Sequence, residues 1–196
     1  LHRAGTDAVI LERRSPEHVL GRIRAGVLEP GTVSILDLAG VGGRLHAAGM
    51  IHDAIEIGAS GRRQRLDLED LVGKVVTVYG QTEITHDLMD ARAASGARSF
   101  YEAESVQLHD IASSRPSVSF VHQVKQQRLD CDFIAGCDGY HGVSRRSIPP
   151  EALQRFERTY SFGWLGVMAD VPPAWDHVVY ADSERGFALA SMRSAT

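Results

Sequence analysis

The sequence predicts an α/β fold with β insertions that runs on into a mostly β segment. Three observations carry this reading. Short apolar runs, Ala8-Val9-Ile10-Leu11 and Val75-Val76-Thr77-Val78-Tyr79, read as strands. A helix-period segment from Thr82 to Ser95 follows the second of them. From Phe156 onward only strand-like runs remain, punctuated by Pro172-Pro173. The order is strand, helix, hairpin, strand, helix, strands, then more strands.

Taken in order, Leu1-His2-Arg3-Ala4 reads as the last turn of a helix closed by Gly5. Ala8–Leu11 is a strand ended by Glu12 and two arginines. Residues 22 to 40 show helix-like periodicity in Val27, Leu28, Ile35, Leu36 and Leu38, broken at Glu29-Pro30-Gly31. The stretch Asp37 to Leu45 imitates a glycine loop, but Leu45 stands where a third glycine is required; its glycines read as a helix stop and turn. Residues 49 to 68 alternate weakly around Ala59-Ser60-Gly61, a hairpin pattern. In the helix from Thr82, that residue can act as cap, Ile84, Leu88 and Ala91 share a face, and Gly96 is the stop. Residues 99 to 111, 117 to 124 and 128 to 134 read as strands, the last two as a hairpin, with Phe133-Ile134-Ala135 a short buried run. Residues 156 to 171 and 178 to 190 read as long strands of another sheet.

Composition narrows the function classes. The chain has 196 residues, 43% apolar and 23% charged, with net charge -4. That charge leaves no nucleic-acid footprint. The cysteines, Cys131 and Cys137, fit no zinc spacing and no disulfide framework; both read as small buried hydrophobes. The nine histidines form no metal-binding pattern. No apolar stretch has the length of a membrane span, and no leader pattern is present, so a cytoplasmic location is expected.

The motifs point toward a nucleotide. In I-L-E-R, Glu12 ends a strand. An acid there can accept from both hydroxyls of an adenosine ribose, typically about 20 residues after a glycine loop. A solvated strand-end Glu reads equally well from the residues alone. In G-R-I-R-A-G-V-L, residues 21 to 28, glycines allow close backbone approach and Arg22 and Arg24 can fork onto phosphates. An ordinary arginine-bearing surface loop is the plainer reading. In Y-G-Q-T-E, Gln81 sits at a strand-to-helix junction, where its amide can reach a ligand or simply enter the helix. In G-C-D-G-Y-H-G-V-S-R-R-S, Asp138 lies between two glycines. His141 and Arg145 follow at a spacing that could put them one helical turn apart.

These motifs, with F-G-W-L-G and R-G-F-A-L-A-S-M-R-S-A-T after them, come in an order that resembles the 4-hydroxybenzoate 3-monooxygenase (p-hydroxybenzoate hydroxylase) family of group A flavoprotein aromatic hydroxylases. The resemblance runs over the whole chain and covers about the middle half of the family's length. It implies an incomplete FAD/NAD(P)-binding Rossmann-like domain of the glutathione-reductase type over residues 1–152. The first strands of a substrate-binding sheet would follow over residues 153–196. The glycine loop is then expected just upstream and a later flavin-closing motif downstream. The chain is expected to be part of a longer protein and inactive by itself.

The resemblance also implies roles. FAD is contacted by Glu12, by the loop Arg22, Ile23, Arg24, Ala25, Gly26 and Val27, by Gln81 and by Asp138. NADPH falls to Arg13, His141 and Arg145. Arg14 and His18 depart from the family's Gln and Tyr, in a stretch implicated in choosing the nicotinamide cofactor. Ser191 and Arg193 match the pair that grips the substrate carboxylate, and Tyr180 matches the catalytic tyrosine that helps ionise the substrate phenol. From the residues alone, Tyr180 is a strand tyrosine with its ring in the core. The implied reaction, part of aromatic compound degradation, turns 4-hydroxybenzoate into 3,4-dihydroxybenzoate with NADPH and O2. No metal, nucleic acid or membrane is implied, and a homodimer is. A related FAD-dependent oxidoreductase with another substrate is the alternative.

Overall fold

The protein is described by a computed structural model, which covers residues 1–22 and 25–194. Besides two 3-10 turns, at His2–Ala4 and Pro150–Ala152, its elements in chain order are β1 (Ile10–Leu11), α1 (Pro16–Leu20), β2 (Val27–Leu28), α2 (Pro30–Ala39), α3 (Gly43–Ala48), β3 (Met50–His52), β4 (Ala54–Ala59) and β5 (Arg62–Asp67). There follow α4 (Leu68–Val72), β6 (Val76–Val78), α5 (Gln81–Ala94), β7 (Ser99–Phe100), β8 (Glu104–His109), β9 (Ser117–His122), β10 (Lys125–Asp130), α6 (Val143–Arg146), β11 (Val178–Ser183) and β12 (Gly186–Ala190). They fall into two compact units.

The first unit comprises residues 1–7, 17–97 and 167–196. It holds a three-stranded sheet in the order β2-β6-β3 and a four-stranded sheet in the order β12-β11-β4-β5. The β4–β5 hairpin turns at Ser60 and Gly61, both at positive φ, which is the turn that Ala-Ser-Gly predicts. In the second sheet β11 runs parallel to β4, whereas β12 and β5 are antiparallel to their neighbours. The core is Leu28, Leu36, Leu45 and Tyr79, with Val33, Val41 and Ile84 packed around it. Burying each leucine contributes about 2 kcal/mol. Helix α2 begins with Pro30 in its first turn, where the missing N–H costs nothing, and ends at Gly40 in the left-handed conformation.

The second unit comprises residues 8–16 and 98–166. Here β1 pairs β7 in parallel, and β10-β9-β8 form an antiparallel sheet. Phe120 is fully buried and meets Phe100 edge-on at 5.1 Å between ring centroids.

Several expectations are corrected. Helix α5 is capped by Gly80, not Thr82, and begins at Gln81. Leu88 is exposed on it, and Ile35 and Leu38 are exposed on α2, because only one stripe of each helix meets a sheet. Helices α1, α3 and α4 are additions to the expected list, and Val27 and Leu28, read as helix-periodic, form strand β2. Residues 178–190 are a hairpin of two strands, not one long strand. Phe133-Ile134-Ala135 and residues 156–171 form no strand, since neither finds a ladder partner among the described residues; Phe133 is 92% exposed and Trp164 is 76% exposed. Cys131 is half-buried and Cys137 exposed, so the buried reading fails for Cys137.

Candidate functional site

In the second unit, Glu12 stands one residue past the carboxyl end of β1, where open α/β sheets place ligands. Its backbone is fixed on both sides: its N–H donates to Phe100 O at 2.8 Å, and its carbonyl accepts from Ala103 N at 2.9 Å. Its side chain curls back to accept from Arg14 N at 2.7 Å. Arg13 points into solvent beside it.

The G-C-D-G segment of the same unit locks onto itself. Asp138 Oδ2 accepts from Ser144 N at 2.8 Å, so this acid caps α6, whose own N-cap, Gly142, has no side chain to do so. Two glycines of the segment, Gly136 and Gly142, are required. A Cβ on Gly136 would stand 2.6 Å from Ser144 Cβ, and one on Gly142 would overlap the Asp138 carboxylate. Burial pushes the Asp138 carboxyl up, but the hydrogen bonds from Ser144 and the Val143 amide outweigh it and hold the group below its ordinary value. The expected helical stacking of His141 on Arg145 does not form, because α6 begins only at Val143. Instead Tyr140 joins them: its ring meets His141 at 5.0 Å, and the Arg145 guanidinium lies 3.9 Å from the ring centroid. The Tyr140 hydroxyl donates to Glu157.

In the first unit, Arg22 and Ala25 are exposed, Gly26 is buried, and Val27 opens β2. Ile23 and Arg24 lie outside the described residues. A Cβ on Gly26 would stand 2.9 Å from Tyr79 O and 3.0 Å from Gly80 Cα, and would meet the Arg193 guanidinium. The structure thus brings Gly26 and Arg193 together, and no ion pair among the described residues involves Arg193. Gln81 is exposed at the first position of α5, a helix whose start carries no side-chain cap. Its first-turn amides are open to an acceptor. Tyr180 lies on β11 opposite Leu189 and tilts against Phe187 at 6.2 Å; it is 36% exposed, so its ring is not in the core. Ser191 follows β12 and donates to Met192 O at 3.2 Å.

A family model described as FAD binding domain matches residues 1–196. The chain belongs to the FAD binding domain family. This FAD-binding chain is 53% identical over 197 residues to p-hydroxybenzoate hydroxylase of Acinetobacter baylyi (strain ATCC 33305 / BD413 / ADP1), a match covering 100% of the chain and 48% of that protein. The chain therefore spans about half the length of the curated relative it matches. Among solved structures it is similar to pqsL, a probable FAD-dependent monooxygenase from Pseudomonas aeruginosa, with TM-score 0.71 and 16% identity over 95% of the chain and 50% of that one. It is also similar to p-nitrophenol 4-monooxygenase PnpA from Pseudomonas putida DLL-E4, with TM-score 0.61 and 16% identity over 73% of the chain and 37% of that one. At these identities the likeness is one of fold: an incomplete Rossmann-like FAD-binding domain, as expected.

The residues present fit a flavin nucleotide. Within the first unit, a backbone approach that only glycine permits at Gly26 and an uncapped helix start at Gln81 suit a phosphate-bearing group; within the second, a carboxylate at a parallel strand end suits ribose hydroxyls.

Sequence reasoning missed two clusters of the first unit. Arg44 pairs with Glu83 and, at 2.5 Å, with Asp87, whose other oxygen accepts from Tyr79 Oη at 2.8 Å. The only signal was two acids four residues apart on α5. Around β4, Arg63 pairs with Glu56 and lies 5.3 Å from the Trp175 ring centroid, while His177 meets Asp176 at 2.6 Å. His52 is buried nearby with neither ring nitrogen partnered, and burial pushes its pKa down. Among the described residues, no group of three or more His, Cys, Asp or Glu could hold a metal, and no helix is long and apolar enough to cross a membrane.

Proposed function

We propose that the protein this chain belongs to is a flavoprotein monooxygenase that hydroxylates 4-hydroxybenzoate to 3,4-dihydroxybenzoate with NADPH and O2, as a step in aromatic compound degradation. The observation that carries the reading is Arg193. It sits in the R-G-F-A-L-A-S-M-R-S motif, it has no carboxylate partner among the described residues, and its guanidinium lies against Gly26 of the proposed flavin loop. A fork-shaped cation without a protein acid suits a substrate carboxylate.

Residue roles follow from the resemblance. In the second unit Glu12 addresses the adenosine ribose, Asp138 shapes the turn near the pyrophosphate, and Arg13, His141 and Arg145 receive NADPH. In the first unit the loop of residues 22–27 and Gln81 contact FAD. Bound flavin supplies hydride acceptance and oxygen activation. Ser191 and Arg193 hold the substrate carboxylate, and the Tyr180 hydroxyl donates a hydrogen bond to the substrate phenol oxygen, which favours its ionised form. Residues 1–152 form the FAD-binding domain, and residues 153–196 contribute the first strands of the substrate domain, β11 and β12, in a sheet shared with β4 and β5. A cytoplasmic homodimer completes the proposal.

The test is NADPH oxidation by the full-length protein loaded with FAD. Oxidation stimulated by 4-hydroxybenzoate, with 3,4-dihydroxybenzoate formed, is expected. Flavin binding with no response to that substrate would transfer the chain to the alternative, an FAD-dependent oxidoreductase of another substrate class.

A further inference from the structure

Tyr79 joins three pieces of the first unit. Its ring is in the core with Leu28, Leu36 and Leu45, only 5% exposed. Its N–H donates to Gly26 O at 2.7 Å, which ties down the end of the 22–27 loop. Its hydroxyl donates to Asp87 Oδ2 at 2.8 Å, two turns into α5. Asp87 cannot swing away, because Arg44 on α3 holds its other oxygen at 2.5 Å and is itself held by Glu83. Burial, reinforced by the Asp87 bond, pushes the Tyr79 phenol up to about 12, so it stays a donor across the working pH range.

The start of α5 explains why this set is needed. Its N-cap is Gly80, which offers no side-chain cap. Glu83 occupies the position from which a capping-box acid would reach back, but it is spent on Arg44. What fixes the entry of the chain is Tyr79, the residue before the cap. It packs in the same cluster as Ile84, four positions into the helix, in the manner of a hydrophobic staple. The Asp87 bond adds a direction that the staple alone lacks. Gln81 follows two residues later.

We propose that Tyr79, held by Asp87 and Arg44, is a positioning residue for the flavin site: its backbone sets the Gly26 end of the loop while its side chain sets the direction in which Gln81 leaves the sheet. The inference rests on the reading of the loop and Gln81 as flavin contacts. It predicts that the phenol hydroxyl, which touches no flavin contact itself, controls flavin binding.

The experiment measures FAD dissociation constants and the visible bands of bound flavin in full-length wild type, Tyr79→Phe, Asp87→Ala and Asp87→Asn. Val118→Ala, a core truncation in the second unit, reports the effect of lowered stability alone. Expected are about tenfold weaker FAD binding and shifted flavin bands in Tyr79→Phe and Asp87→Ala. The double variant should be no worse than either, and Asp87→Asn, which still accepts from the phenol, should recover most of the affinity. Wild-type affinity and bands in both Tyr79→Phe and Asp87→Ala, or losses no larger than that of Val118→Ala, overturn the proposal. Should Tyr79→Phe not fold, the Asp87→Ala and Asp87→Asn pair decides alone. A wild-type protein that binds no FAD overturns the underlying reading instead.

Discussion

The guanidinium of Arg193 lies against the backbone of Gly26, on ground that any side chain at position 26 would claim. Two of the neighbours there are backbone atoms, Tyr79 O at 2.9 Å and Gly80 Cα at 3.0 Å from a Cβ, and backbone of a sheet end cannot step aside as a long side chain can. Gly26→Ala is therefore expected to cost about 1–3 kcal/mol of stability through overpacking. It should also weaken FAD binding, since the loop must shift. Urea unfolding and flavin titration of the full-length variant check the two effects separately.

Arg193 itself is expected to act on substrate and not on the flavin. A charge-assisted hydrogen bond contributes about 1.5–3 kcal/mol, so Arg193→Ala should raise KM for 4-hydroxybenzoate about 10- to 100-fold. The FAD dissociation constant should stay within about twofold, because the variant removes a side chain from beside Gly26 without disturbing the Tyr79 tie. Steady-state kinetics with saturating NADPH, paired with flavin titration, would separate these. A loss of FAD affinity with unchanged KM would place Arg193 on the flavin instead.

What the sequence disclosed and what it hid divide along the range of the interaction. The β4–β5 hairpin, the stop of α2 at Gly40 and the body of α5 were legible, because alternation, Gly at positive φ and helical period are local signals. Arg44, Tyr79 and Asp87 were not, since Arg44 and Asp87 lie 43 positions apart and nothing near either announces the other. Phe133–Ala135 shows the opposite error. An apolar run reports a tendency to be buried and does not name the strand that would pair with it. Asp138 was legible as part of a turn built on glycines, but the direction of its carboxylate was not. That direction depends on Gly142 having no Cβ and on Ser144 offering an amide.

The β9–β10 hairpin carries removable strain. His122 and Lys125 are partners in register, so the turn consists of Gln123 and Val124 alone, at φ 49° and 60°. A β-branched residue in this region loses about 1–2 kcal/mol relative to a relaxed backbone. Val124 is 97% exposed, so its side chain returns nothing by burial. Val124→Gly relieves the clash at an entropic cost of roughly 0.5–1 kcal/mol. The net expectation is a gain of about 0.5–1 kcal/mol, with turnover unchanged, read from urea midpoints of the full-length protein.

Asp138 gives the protein a defined response to acid. Its carboxyl is held below its ordinary 3.8, because the ionised form accepts the Ser144 and Val143 amides. A depressed folded value means that the ionised cap stabilises the fold fully above 3.8 and that this contribution is lost as pH falls through the lower, folded value. Asp138→Ala should cost about 1 kcal/mol at neutral pH, the usual worth of an N-terminal cap. The gap between variant and wild type should close as urea unfolding is repeated below pH 3.8. Gly142→Ala supplies the companion test. Its Cβ would collide with the same carboxylate, so adding Asp138→Ala to it should cost less than Asp138→Ala costs alone. Full additivity of the two would mean that Asp138 does not fold back over α6.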